Sequence, residues 1–223
     1  SFILSHMKKY VFTALIALFL SQKVTAQIED YRIGVKLAPT VSYVRASTDG
    51  NSTTFERNGS TVKFLIGAFV DIPFKDNYYF HTGINYASRN TKVTATDAAY
   101  FGGTPTSAEY DHEYIQLPAL IKLYTNEVLL DTKLFFNFGV IPEVRLNTNN
   151  KTENINLITE FQHFDINGNF GGGVERAIGV QTSLFASINY NIGFINQVKE
   201  QSNSLDDLKV KNSLIAIEFG IKF

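Results

Sequence analysis

A two-residue alternation of apolar and polar side chains recurs in eight segments of this chain, and few folds can accommodate that pattern. Neighbouring side chains on an extended strand point to opposite faces, so each segment predicts a strand with one oily and one wet side. In SLIAIEFGIKF, Ile215, Ile217, Phe219, Ile221 and Phe223 share one face, against Ala216, Glu218, Gly220 and Lys222. The other segments cover residues 31–44, 64–74, 78–90, 113–124, 133–146, 161–175 and 183–194. The pattern predicts an all-β chain. It does not by itself say which face is inside.

Three features place the apolar face outward, toward lipid. Eight closed strands enclose room for little more than their own inward side chains. One face carries glycine and small polar residues, while the other is nearly unbroken Phe, Ile, Leu and Tyr. Connections alternate long and short, from ASTDGNSTTFERNGST and KDN to AIGV and INQVKEQSNSLDDLKVK, as in barrels with tight periplasmic turns and longer external loops. The segments reach about 10 residues, enough to cross a bilayer at a tilt. Tyr31, Tyr43, Tyr78, Tyr86, Tyr124 and Phe223 near segment ends fit interfacial girdles. A soluble barrel or sandwich is the competing architecture, but it gives no reason to segregate loop length by side. The expected fold is therefore an eight-stranded antiparallel up-and-down transmembrane β-barrel.

The N-terminal region supports export. MKKYVFTALIALFLSQKVTA joins Lys8 and Lys9 to an apolar run and ends near Ala26, as a secretory signal peptide does. A spanning helix needs ~20 apolar residues, and this run is shorter. Residues 1–6 read as start sequence outside the fold, 7–26 as the signal peptide and 27–223 as the barrel domain. The chain has no Cys, which excludes disulfides, thiolate catalysis and Cys-bound zinc. Without the leader, 17 basic residues face 21 acidic ones, which argues against nucleic acid as a partner.

The stretch YIQLPALIKLY resembles the Tyr-Leu-x-Ile-Pro-Leu-Leu-Lys signature of the PorT-like outer-membrane β-barrel family, with Ile115 where the signature has leucine. NFGGGVE resembles a later glycine-rich strand of that family, and NIGFINQV resembles the end of its penultimate strand. The resemblance implies a compact outer-membrane barrel of a Gram-negative bacterium. Its founding member is associated with protein secretion, a role that fold likeness alone does not transfer. Phe223 resembles the C-terminal signal read by the barrel-insertion machinery.

The inward list is Arg32, Lys36, Asp71, His81, Arg89, Lys122, Glu143, Arg145, His163, Asp165, Glu175, Glu218 and Lys222. Mixed signs favour a structural network of paired charges over an ion path, because unpaired charge away from water costs several kcal/mol. Lys36 and Glu218 are candidate partners across the closure. A catalytic alternative would combine His81 or His163 and Asp165 with Ser183 or Ser187, but no nucleophile elbow or metal-binding His pair accompanies them. The glycines of NFGGGVE lack the helix and lysine of a phosphate loop and read as close packing. Pro73, Pro118 and Pro142 predict bulges or bends. Asn51, Asn58 and Asn150 in N-x-Ser/Thr triplets read as coincidence. Tyr100 and Phe101 could form a contact tip, and SLDDLKV a short helix.

The expected role is structural or interactive within the envelope, with secretion or assembly as its setting. The expected associates are outer-membrane lipid, the insertion machinery and an envelope protein engaged by the external loops, with the barrel itself a monomer. Passage or binding of a small solute, and a lipid-modifying enzyme, are the second and third readings. No catalytic, cofactor or metal residue is assigned.

Overall fold

The computed structural model describes residues 31–48, 53–57, 61–152, 157–201 and 208–223. The expected start residues and signal peptide, and Asn51 and Asn58, lie outside the described residues. Among the described residues, twelve strands and one helical turn follow one another: β1 (Arg32–Thr48), β2 (Thr53–Arg57), β3 (Thr61–Lys75), β4 (Tyr78–Asp97), α1 (Ala98–Phe101), β5 (Thr106–Gln116), β6 (Ala119–Leu129), β7 (Thr132–Asn150), β8 (Ile158–Phe161), β9 (Phe164–Ala177), β10 (Ser183–Gly193), β11 (Val198–Gln201) and β12 (Leu208–Lys222).

Eight wall strands close a ring in the order β1, β3, β4, β5 with β6, β7, β9, β10 and β12, every pairing antiparallel. β5 and β6 are one wall strand broken at Leu117 and Pro118. Pro118 has no N–H to donate to the ladder, and Leu117 N is instead satisfied by Pro142 O at 2.9 Å. The ring shuts where β1 meets β12, Gly34 opposite Lys222 and Leu37 opposite Phe219. Closure matters in lipid, which cannot satisfy the backbone groups of an open edge.

The apolar faces point outward as expected. Ile33, Phe64, Ile84, Phe136, Phe170, Ile188 and Phe219 are all exposed on the outer wall, with Phe170 67% exposed. The band has a clear upper limit on the β4–β5 hairpin. Tyr86 pairs with Ile115, but the next outward pairs are Ser88 with Glu113 and Asn90 with Asp111. The hairpin continues as strand beyond that limit, so the stretch between the expected segments 78–90 and 113–124 is mostly ladder, and only residues 98–105 turn. Leu208–Val210, expected within a short helix, belongs to β12, while 204–207 lies outside the described residues. α1 occupies the expected contact tip, and the side chains of Tyr100 and Phe101 lie outside what is described.

At the opposite end the turns are tight. β3 and β4 join through Asp76 and Asn77, and β6 and β7 through Leu130 and Asp131. Asn77 and Asp131 take positive φ of 62° and 57°, a conformation their short polar side chains tolerate. The connection between the expected segments 113–124 and 133–146 is thus largely strand. Val128, Leu129 and Leu130 at its tip, and Ile178 and Val180 on the adjacent turn, are exposed aliphatics.

Candidate functional site: the filled lumen and its outer mouth

The lumen is packed in three layers. The periplasmic layer centres on Asp71, fully buried, whose Oδ1 lies 2.6 Å from His81 Nδ1. Its Oδ2 accepts from Lys122 Nζ at 3.3 Å and Lys222 Nζ at 3.2 Å. Lys222 also donates to Glu175 at 2.6 Å and to Tyr124 Oη at 2.8 Å, so its three protons are all engaged. Lys36 reaches Glu218 at 3.0 Å across the closure. Arg32 sits at the rim, its side chain 42% exposed and 3.6 Å from Glu175.

Three inward phenylalanines accompany these charges: Phe69, Phe135 and Phe185 form one buried cluster. The Lys122 ammonium lies 4.1 Å from the Phe135 ring centroid, a cation–π contact. These three rings stand on the face read as glycine and small polar residues, and they fit because glycine leaves space for them. A Cβ on Gly173 would fall 2.7 Å from Phe135 Cζ, and one on Gly34 2.8 Å from Phe69 Cε1. Each ring occupies the space of a missing side chain.

The middle layer is built on a bidentate pair, Arg89 Nη1 and Nη2 to Glu143 Oε1 and Oε2 at 2.6 and 2.7 Å. The planar guanidinium matches the carboxylate fork, which suits this pair to burial. Gln116 donates a further bond to Glu143 at 2.8 Å. Around and below lie buried amides, among them Asn85, Asn137, Asn167, Asn169, Asn189 and Asn191. Asn169 donates to Asn191 at 2.6 Å.

The outer layer is apolar. β9 and β10 stop near Phe164 and Gly193, while β7 and β12 extend farther outward, which leaves a gap in the wall. β8 and β11 pair with each other across it. Leu157, Ile158, Phe161 and Val198 turn inward there and pack on Val93, Ala95, Ala108, Tyr110 and Val210. Tyr110 Oη accepts from Leu157 N and Ile158 N, both at 3.0 Å. Asp165 holds the same region, accepting from Ile166 N at 2.7 Å and Ile195 N at 3.3 Å. The external connections thus supply a cap. Nothing in their polar composition announced it.

Of the residues assigned inward from the sequence, Lys36, Asp71, His81, Arg89, Lys122, Glu143, Arg145, Asp165, Glu175, Glu218 and Lys222 are buried. His163 corrects the list. It precedes β9, is exposed at the mouth, and meets Arg145 only through its carbonyl, which accepts from Arg145 N at 2.8 Å. Strand alternation does not apply to a residue outside the strand. Tyr124 corrects the girdle in the other direction, since its hydroxyl donates to Glu175 at 2.6 Å inside the lumen. The residues of the catalytic alternative do not converge. Ser183 pairs with Lys222 at the periplasmic end, whereas His163 and Asp165 lie at the outer end. Among the described residues no group of three His, Cys, Asp or Glu side chains is placed to hold a metal.

His112 lies above the lipid band and faces inward on Phe161, ring centroids 4.6 Å apart. Burial first, and the Arg145 and Arg89 guanidiniums next, push its imidazole down to about 3. A histidine held neutral when folded binds a proton more readily when unfolded, whose reference value is about 6.5. Its contribution is therefore complete above that value and is lost as pH falls toward 3. Between pH 6.5 and 4 the loss is about 3 kcal/mol at ~1.4 kcal/mol per unit. Unfolding titrations at pH 7 and pH 4 should show a smaller pH-dependent loss in His112→Gln than in the parent; equal losses would disprove the assignment.

The model of the outer membrane protein beta-barrel domain family matches residues 21–199. No curated protein is similar enough in sequence to count as a match. Among solved structures, the chain is similar to Neisserial surface protein A (NspA) at 13% identity and a TM-score of 0.47, covering 86% of this chain and 95% of that one. It is also similar to OprG from Pseudomonas aeruginosa, at 13% identity and 0.46 over 86% and 95%. The outer membrane protease OmpT from Escherichia coli follows, at 8% and 0.48 over 91% and 99%. With the closed ring, the outward apolar band and the family match together, this chain belongs to the outer membrane protein beta-barrel domain family and resides in the outer membrane.

Proposed function

We propose that this barrel is a structural or interaction component of the envelope, acting through the surfaces it presents outside the membrane rather than through an open lumen. The observation that carries the reading is the filling of the lumen by paired charges, amides and an apolar cap in series. Transport through such a core would require the cap and two hydrogen-bonded layers to part. The motif likeness to PorT-like proteins supports a setting in secretion or assembly, and Phe223 as a signal for the insertion machinery fits the same picture. The exposed aliphatics of the periplasmic turns add a second surface to the external loops as a place for a partner.

Two experiments test the reading together. Photo-crosslinkers placed at Gly103 on the outer tip and at Val180 on a periplasmic turn should trap a discrete envelope protein in cells. The purified barrel in planar bilayers should give no regular conductance steps. Stepwise conductance with no adduct at either position would replace this proposal with solute passage.

A further inference from the structure

Five buried cations of the lumen, Lys36, Arg89, Lys122, Arg145 and Lys222, face five carboxylates, Asp71, Glu143, Asp165, Glu175 and Glu218, with a sixth, Asp97, buried at the outer end of β4. They do not pair evenly. Among the described residues, four of the cations lie within ion-pair distance of a carboxylate, and Arg145 does not. The carboxylate left over, Asp165, is bonded to backbone N–H groups of the cap. Arg145 is 7% exposed, and its Nη1 is buried with no hydrogen-bond partner. Its guanidinium carbon lies 5.2 Å from the Phe161 ring centroid, so one face stacks on an aromatic ring, and the Tyr114 hydroxyl is its polar neighbour inside the lumen.

This unpaired cation lines a cavity of about 350 Å³ where the wall is incomplete, between the extended edge of β7 and the strand β8. The size falls at the low end for small-molecule sites. Thr148, also lining it, has its hydroxyl 2.9 Å from His112 Nδ1, which fixes where that hydroxyl points. Leu146, Ile158 and Phe161 supply apolar lining beside these polar groups. The rim carboxylate Glu160 is already engaged by Lys199 Nζ at 2.6 Å, and so does not neutralise Arg145 in contact. Glu160 acts on Arg145 only across a distance, and a buried guanidinium with no carboxylate in contact is costly, a cost that an oxyanion reaching it lowers. A guanidinium fork, a hydroxyl and an apolar wall match a carboxylate or phosphate carried on a compact body.

We propose that this lateral pocket is a binding site for a small oxyanion-bearing ligand of about monosaccharide size, with Arg145 as its anion-binding residue. The ligand is either a free acidic sugar or sugar phosphate outside the cell, or the phosphorylated sugar headgroup of a surface glycolipid beside the barrel. The inference does not depend on whether the external loops engage a protein.

The test is calorimetric titration of the folded barrel in detergent with glucuronate, glucose 1-phosphate and neutral glucose. Saturable millimolar or tighter binding of either anion, absent for glucose, is expected, with at least a tenfold loss in Arg145→Gln. Glu160→Gln, which relieves rim repulsion, should bind as well as the parent or better. Both variants are first shown to be folded by their heat-modifiable gel mobility. If Arg145→Gln fails to fold, Thr148→Val takes its place with a several-fold loss expected. A parallel titration with lipid A nanodiscs separates the sources: saturation there with none by the free anions assigns the headgroup. No saturation by any of these probes, or equal binding by Arg145→Gln, overturns the proposal.

Discussion

Asp71→Asn is expected to produce the largest loss of stability of any single lumenal change, at least about 3 kcal/mol. The Asp71 carboxylate is the shared counter-charge of Lys122 and Lys222 and the hydrogen-bond partner of His81. Removing its charge leaves two ammonium groups facing each other in a dry layer, with only Glu175 against Lys222. Breaking a buried pair costs more than the pair contributes, because the remaining charge stays desolvated. The chain has no Trp, so unfolding is best followed by far-UV circular dichroism and by gel mobility in a urea series. A second variant, Asp71→Leu with Lys122→Met, removes one charge of each sign and should recover much of the loss. If Asp71→Asn costs less than about 1 kcal/mol, the charges are solvated and the dry-layer account fails.

The second large effect belongs to the middle layer. Glu143→Gln should cost about 3 kcal/mol, because Arg89 is 1% exposed and both its terminal nitrogens bond to that carboxylate. Gln116 loses its acceptor in the same change. Arg89→Met with Glu143→Leu, similar in volume and free of charge, is expected to be near neutral or to gain stability, as replaced buried pairs often do. The single variant measures the penalty of an orphaned charge, and the double measures the worth of the pair. Equal loss in both would mean that packing at these positions, not charge pairing, sets the cost. Because conductance through the lumen is not expected, either change should act on stability before it acts on permeation.

Much of this architecture was legible because strand alternation has a short period and a membrane imposes a strict boundary condition. The faces of β1, β3, β7 and β12 could be assigned residue by residue, since the outward positions had to satisfy lipid. Lys36 and Glu218 could be named as neighbours across the closure, and they stand 3.0 Å apart. Other residues escaped for identifiable reasons. Tyr124 has the chemistry of an interfacial residue, and only the register of β6 against β7 turns its hydroxyl to Glu175. His163 looked inward by counting along a strand that in fact begins at Phe164. Phe69, Phe135 and Phe185 depart from the small inward face, and their rings lie over glycines of neighbouring strands, a fit that no single strand shows.

The outer mouth was the least legible. Its polar connections read as solvated loops, yet Leu157, Ile158, Phe161 and Val198 lie in them and fill the top of the lumen. Such packing depends on which distant strands stop early, and no local pattern carries that information. From the sequence alone came the eight wall segments, the orientation of their faces and the membrane setting, because period and amphipathicity are local properties of a strand. Which charges pair, the closing of the wall gap by β8 and β11, and the lack of an ion pair at Arg145 among the described residues came from the tertiary structure, since they follow from register and ring closure between residues far apart in the chain.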